Sequence, residues 1–517
     1  MKQLIPVSLS GLAFTLGITA VAAQTPAASP KAPLNVLLFT ADDMGWFSPA
    51  AWDSPAHVPD VTPNIDRFAT QGMIFLRAHV TCAICQPSRG ALATGMYPHV
   101  SGVEGFYHTP RPTKTVMSEL RDHGYRTGIL GKCSHSTPDA SFRWDMMHDA
   151  NELGHGRNPR KYAAYFREFV RECKKQGMPF YFMANAHDPH RPLDGAEADL
   201  LWRWMTPDYP RPSRVFKPEE ITVPGFLPGL PRVREEIAQY CSSSRRCDDV
   251  FGAIMKVLDE EGLADNTLVV FLSDNGMAQP FAKANAYFNS TRTPLIVRLP
   301  GVTKAGSRNE NDFVSGIDYM PTVLEACGFP APDGVNGRSF LPLLRGEKQE
   351  GRERVFTQIY ETSGKNRFPM FAVQDANYIL IYNPWSDGQY SFHAGLTDGL
   401  AFRAMVEASG ADAGIRSRVE LMQYRVPLEL YDVKTDPDAL LNLADDPKHA
   451  NTVKLMSDHL KDWMDKYDST IAPAFAAFPG EQERSTYMEA QKQQARTHAE
   501  NAKAAKRSAA NAGEEED

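Results

Sequence analysis

The segment TCAICQPSRGALATG, residues 81–95, holds two cysteines three positions apart, then a proline, a serine and an arginine. A C-x-x-C pair can exchange disulfides when it opens a helix in a thioredoxin-like unit, or supply half of a metal site. Pro87 follows Cys85-Gln86 directly, and no second C-x-x-C stands elsewhere to complete a zinc site. Two buried, inert thiols are the plain alternative. Other chemistry-bearing residues come in short clusters: Asp42-Asp43, Lys132 with His135, His187-Asp188-Pro189-His190, and Asp274-Asn275-Gly276. Carboxylates of this kind bind hard cations. Imidazoles and lysines beside them serve proton transfer and anion binding.

Each cluster follows a short apolar run. LNVLLFT (34–40) precedes Asp42-Asp43, YRTGILG precedes Lys132, PFYFMANA precedes His187, and NTLVVFLS precedes Asp274. Between these strand-like runs lie helical patterns: TPNIDRFATQGM, VMSELRDHGY, KYAAYFREFVRECKKQG and CDDVFGAIMKVLDEEGL. The alternation predicts an α/β fold with a parallel or mixed sheet sandwiched by helices. Ligands in such sheets bind outside the carboxyl ends of the strands. Asp and Asn are ordinary turn residues at a single strand end. Four loaded strand ends together point to one site.

The chain has 517 residues, enough for a large domain and a smaller one. Its net charge of -8 argues against nucleic acid as a partner, while a local cationic cluster can still hold an anionic substrate. The start, MKQLIPVSLSGLAFTLGITAVAA, has the shape of an export signal cleaved after Ala22 or Ala23. Residues 1–23 are read as that signal and 24–33 as a flexible lead-in. The expected location is periplasmic or secreted, with no membrane span in the mature chain. Seven cysteines are too few for a disulfide scaffold, and their odd number leaves at least one unpaired. Cys241 and Cys247 could pair with each other. Residues 34–351 are expected to form the catalytic domain and 352–470 a smaller α+β domain. In the latter, RVFTQIY, MFAVQ and YILIYNP read as short strands, VPLELYDVKTDPDALLNLADDP as turns, and NTVKLMSDHLKDWMDKY as an amphipathic helix. Its stripe runs through Val453, Leu455, Met456, Leu460, Trp463 and Met464. Residues 471–517 are expected to be a polar tail, helical or disordered.

Read from Cys85 forward, Cys85-Gln86-Pro87-Ser88-Arg89 with Thr94-Gly95 resembles the C-x-P-S-R-x-x-x-x-T-G signature of type I sulfatases. The resemblance covers about Asn35 to Tyr467 and implies an alkaline-phosphatase-like fold. It implies that Cys85 is converted to formylglycine by a maturation enzyme. A plain thiol would form a dead-end thiosulfate. In the hydrated aldehyde one hydroxyl attacks sulfur, and the second then expels sulfate and restores the aldehyde. The resemblance further implies that Asp42, Asp43, Asp274 and Asn275, with position 85, ligate a divalent cation, Ca²⁺ or Mg²⁺. Arg89 would hold the formylglycine, Lys132 and Lys283 would contact the sulfate, and His187 would protonate the leaving group. Family members often read K-x-H after the glycine. Here the run is Lys132-Cys133-Ser134-His135, so either His135 reaches the nucleophile or Ser134 fills that place; His135 is favoured. His190 is expected to support the site or touch substrate, and Cys133 to pack.

The strings YRTGILGK, AHDPHRP, SDNGMAQPFAKANAYF and LELYDVKTDPDALLNLADDP resemble the N-sulfoglucosamine sulfohydrolase (sulfamidase) group. The expected substrate is therefore a sulfated carbohydrate. N-desulfation of glucosamine competes with O-desulfation of another polysaccharide. Phosphodiester or phosphonate hydrolysis and an inactive glycan-binding relative are the more distant readings. Trp46, His108, Arg111 and Trp144 are candidate rim residues.

Overall fold

The computed structural model describes residues 33–514 together with Met1. The export-signal reading of 1–23 and most of the lead-in lie outside the described residues. Among the described residues, one sheet holds eight strands: β1 (Asn35–Asp42), β2 (Met73–Phe75), β4 (Arg126–Leu130), β5 (Met146–His148), β6 (Phe180–Pro189), β7 (Thr267–Ser273), β8 (Leu295–Arg298) and β9 (Ser307–Asn309). A parallel pair, β3 (Ala78–His79) and β10 (Val314–Ser315), stands apart. The large sheet has the order β5-β4-β6-β1-β7-β8-β2-β9. It is parallel from β5 to β7, and β8 runs antiparallel to both β7 and β2. The sheet is therefore mixed.

β1 is the central strand, and every one of its residues is buried. Val36 and Leu38 enter the core on one face, and Leu37 and Phe39 the core on the other. This period of two, apolar on both faces, is what a strand covered by helices on both sides requires. Its register sets Leu38 beside Met183 of β6 and Val270 of β7. The three strands therefore end together.

The helix expected from residue 247 begins instead at Pro231 and runs 30 residues to Glu260. Its first half reads as polar because Glu236, Ser242, Ser243, Ser244, Arg246 and Asp248 are all buried, which hides the apolar period. Cys241 and Cys247 lie six positions apart on this one helix, and all seven cysteines are free thiols.

The later strands β11 (Val355–Glu361), β12 (Arg367–Gln374), β13 (Tyr378–Tyr382) and β14 (Leu428–Asp432) form a separate antiparallel sheet in that order. β14 lies in the stretch read as turns. Its Leu428↔Tyr382 to Asp432↔Tyr378 pairing supplies a non-local partner that no local pattern displays. The helix Ala450–Lys466 lies over this sheet, with Trp463 stacked 5.4 Å from Phe356. Leu455, expected on its apolar stripe, is exposed. The tail from Glu481 is helical, and it is not solvated all round: Tyr487, Met488 and Gln491 are buried. One apolar cluster joins Phe47, Ile84 and Tyr97 with Phe368, Trp385 and Leu430, so the small sheet shares a core with the segment carrying Cys85.

A buried charge network locks the helix Pro231–Glu260 to β6. Asp188 accepts from Arg157 Nε at 2.9 Å, from Arg246 Nε at 2.6 Å and from Arg246 Nη2 at 3.0 Å. Breaking a buried pair strands the remaining charges. Asp188→Ala is expected to cost about 3–5 kcal/mol, read as a lower urea midpoint with unchanged slope.

Candidate active site

The four loaded strand ends converge. β1 delivers Asp42, and Asp43 follows at a left-handed turn with φ 71°. β4 leads through Gly131 to Lys132, both at positive φ. β6 carries His187 and Asp188, and β7 is followed directly by Asp274 and Asn275. Between them points the N-terminus of the helix Cys85–Thr94. Position 85 thus sits at the positive end of a helix dipole, where an anion is favoured.

Arg89, one turn along that helix, is 1% exposed. Its Nε donates to Asp274 Oδ2 at 2.9 Å, and its Nη1 to Thr40 Oγ1 at 2.7 Å and Asn185 Oδ1 at 2.9 Å. The guanidinium pins the helix start to β1, β6 and the end of β7. Cys85 Sγ lies 3.4 Å from Asp42 Oδ1 and 3.4 Å from Lys283 Nζ. Lys132 Nζ pairs with Asp42, and Lys283 Nζ with Asp43. Asn275 Nδ2 donates to Asp43 Oδ1 at 2.7 Å.

Oxygens of Asp42, Asp43 and Asp274 lie within 4.8 Å of one another. Asp43 Oδ2 and Asn275 Oδ1 are buried without a hydrogen-bond partner. Orphaned buried acceptors are costly and need an explanation. A hard divalent cation supplies one, since all four residues offer oxygen. The residues present fit such a group.

Burial would raise Asp42, but Lys132 above all, with His190, Arg89 and Lys283, holds its carboxyl well below the ordinary range. Asp274 is pushed up to about 7 by burial, with Asp42 and Asp43 adding to it against Arg89. Burial and the Asp42 charge push the Cys85 thiol well above 9, so the unmodified side chain is no thiolate at neutral pH. That is not the low-pKa thiol a redox cysteine needs.

A cavity of about 280 Å³ opens onto this cluster and is lined by Asp43, Cys85 and Lys283 with His135 and His190. Ser134 is exposed, whereas His135 packs 5.4 Å from the Phe106 ring on the cavity wall. His187 lies behind Lys132: its Nε2 accepts from the Lys132 backbone N–H at 3.2 Å, and its ring is absent from the cavity lining. Burial and Lys132 press His190 down to about 4, and burial with Lys132 and Arg89 press His135 to about 3, so both rings are neutral near pH 7. Cys133 is buried, with Sγ against His148 O at 3.4 Å.

None of the four rim candidates lines the cavity. The Trp46 ring lies beneath Arg292 at 3.7 Å, Trp144 Nε1 donates to Thr137 Oγ1, and His108 Nδ1 meets Thr137 O. Arg111 is exposed. The wall is built instead by Phe106, Arg191, Ala278, Ser363 and the run Ala394-Gly395-Leu396. Arg191 follows His190 directly, and that adjacency was a usable signal. Ser363 and residues 394–396 carry no local mark; they arrive from the small sheet and its connections.

This fold and this gathering of hard donors and cations around position 85 define an alkaline-phosphatase-like hydrolase of anionic esters. Residues 34–329 match the family described as Sulfatase, and the chain belongs to the sulfatase family. Residues 276–396 match the model described as N-sulphoglucosamine sulphohydrolase, C-terminal. Human N-sulphoglucosamine sulphohydrolase is 28% identical over 464 residues, covering 83% of this chain and 90% of its own. An ulvan-active sulfatase of Formosa agariphila is 25% identical over 482 residues, covering 84% and 75%. Among solved structures, one described as in complex with its substrate D-glucosamine-2-N,6-O-disulfate superposes with a TM-score of 0.64 at 18% identity, covering 85% of this chain and 99% of that one. The protein is a sulfatase.

Chelation is expected to lower the denaturation midpoint, and readdition of a divalent cation to restore it. At about 100 times its dissociation constant the cation should contribute about 2.7 kcal/mol. Asp43→Asn should lose most of that response, which calorimetry reads without any substrate.

Proposed function

We propose that this sulfatase releases sulfate from a terminal sugar of a sulfated carbohydrate, with N-sulfoglucosamine as its substrate, through a formylglycine made from Cys85 and a bound Ca²⁺. The observation that carries the subgroup is where the C-terminal match falls. Residues 276–396 contain Ala278, Lys283, Ala284, Ser363 and Ala394-Gly395-Leu396, half of the cavity wall. The segment resembling the sulfohydrolases is the segment that meets the sugar. A volume of about 280 Å³ falls just below the usual range of ligand pockets, about 300–1,000 Å³, and suits one sugar unit at a chain end. An O-sulfated terminal sugar would fit the same cavity, and the ulvan-active relative keeps that reading as the second.

Once formed and hydrated, the formylglycine supplies the hydroxyl that attacks sulfur and the hydroxyl that later expels sulfate. Asp42, Asp43, Asp274 and Asn275 would hold the cation, which would supply positive charge for the sulfuryl oxygens. Arg89 fixes the helix start that presents position 85. Lys132 and Lys283 leave their carboxylate partners to meet the sulfate oxygens, adding charge where the transition state develops it. His135 lines the same cavity as position 85 and is assigned proton transfer at its hydroxyl. His190 takes the leaving-group proton role first assigned to His187, because its ring faces the cavity while His187 braces the Lys132 backbone. A bound sulfate anion favours protonation of a neighbouring imidazole. The chain is read as exported, with residues 34–351 as the catalytic domain and 352–470 as the smaller one. No described helix is long and apolar enough to cross a membrane.

Mass spectrometry of the tryptic peptide 78–89 from the native host is expected to show formylglycine at position 85; an intact Cys85 there refutes the mechanism. Matured protein offered N-sulfated glucosamine beside its 2-, 3- and 6-O-sulfated counterparts should release sulfate from the N-sulfated sugar. Release from an O-sulfated sugar alone would shift the assignment to the O-sulfatases. His190→Ala should slow sugars with poor leaving groups by about 10²–10⁴ while sparing activated aryl sulfates. The same selectivity in His187→Ala instead would return the acid role to His187.

A further inference from the structure

Lys283 sits in a loop that ordinary backbone preference does not build. Phe281 has φ 65° and Ala284 φ 53°, so two non-glycine residues flanking Lys283 occupy the left-handed region. A bulky residue there is a true outlier and persists only when its surroundings hold it. Ala284 N–H donates to Ala83 O at 2.8 Å and Ser290 Oγ to Phe281 O at 3.0 Å, and a further restraint comes from much later in the chain. Arg425, 5% exposed and itself at φ 56°, follows the helix Ala413–Tyr424. Its Nη2 donates to Asn285 Oδ1 and its Nη1 to the Tyr287 hydroxyl at 2.5 Å. Asn285, fully buried, donates from Nδ2 to the backbone carbonyl of Lys283 at 2.5 Å. Arg425 also lies 5.6 Å from the Phe281 ring, which Arg418 at 3.7 Å and the Tyr287 ring at 5.5 Å flank as well. The carboxylate of Glu429 on β14 completes the set by accepting from the Tyr287, Tyr431 and Asn383 side chains at 2.6 Å each.

We infer that Arg425 is a positioning residue for Lys283: through Asn285 and Tyr287 it holds the strained loop in the one shape that sets Nζ beside Asp43 and position 85. The inference rests on the reading of Lys283 as a sulfate-contacting cation. Lys283 Nζ is only 3.4 Å from Cys85 Sγ, so a small relaxation of the loop moves the charge off the reacting group. Arg425 touches neither position 85 nor the cavity, and its effect must pass through the loop. A planar fork with two acceptors explains why arginine is needed, since lysine cannot span both.

The test is a double-mutant cycle on matured protein with the sugar substrate found active. Arg425→Met is expected to lower kcat/KM by about 10–100-fold, the usual loss for a supporting partner. In a Lys283→Met background it should lower it less than about threefold, because coupled residues are not additive. Equal losses in both backgrounds overturn the inference. Should Arg425→Met fold poorly, Asn285→Ala cuts the same relay and is expected to give the same non-additive loss; full activity there overturns it too. Hydrogen exchange gives a readout independent of the chemistry. Amides of residues 277–288 should exchange faster in Arg425→Met while β7 is unchanged, and unchanged exchange in the loop counts against the inference. If the wild type releases no sulfate from any sugar, the functional reading falls, while the exchange experiment still decides the positioning.

Discussion

Three carboxylates buried side by side cannot stand alone in a protein interior. Asp42, Asp43 and Asp274 repel one another at close range, and desolvation compounds the cost. Arg89, Lys132 and Lys283 face them from three separate segments, each close enough to pair. Much of the remaining architecture follows from that balance. The parallel strands β4, β6, β1 and β7 must end in register, the helix Cys85–Thr94 must start among their ends, and the loop after β7 must turn back sharply to bring Lys283 in. Even with six charges balanced, Asp43 Oδ2 and Asn275 Oδ1 stay unsatisfied. A pocket in that state suits a cation and an anionic ester together, and on the proposed reading each lysine that leaves a carboxylate would meet the ester.

The small sheet is a working part of this site. It shares a core with the segment carrying Cys85, sends Ser363 and residues 394–396 to the cavity, and anchors the Lys283 loop through Arg425. The large sheet thus supplies the charges, and the small one shapes the space they act on and steadies one of them.

The histidines show how finely the backbone divides similar side chains. His187 and His190 stand three positions apart around Asp188, which two buried arginines hold rigidly. One imidazole turns inward against the Lys132 backbone, and the other faces the cavity. Their residue types are equivalent, and only the path of the chain through Asp188 separates them.

What could be read from the residues alone was whatever has a local signature. The period of two in LNVLLFT, the helical spacing of KYAAYFREFVRECKKQG and the loaded strand ends announced a sheet and its working edge. The C-x-P-S-R segment announced the family. Local signals failed where burial is polar or partners are distant. The first half of the helix Pro231–Glu260 hid behind buried serines and charges, and LELYD became a strand only through its pairing with β13. Ser363, residues 394–396 and Arg425 lie far along the chain from the signature, with nothing local to mark them. Sequence therefore determined which charged groups stand at the converging strand ends, because residue type and spacing are local. The tertiary structure alone decided which imidazole faces the cavity at position 85, what shapes that cavity and what holds Lys283 in place, because each depends on contacts between segments that only folding brings together.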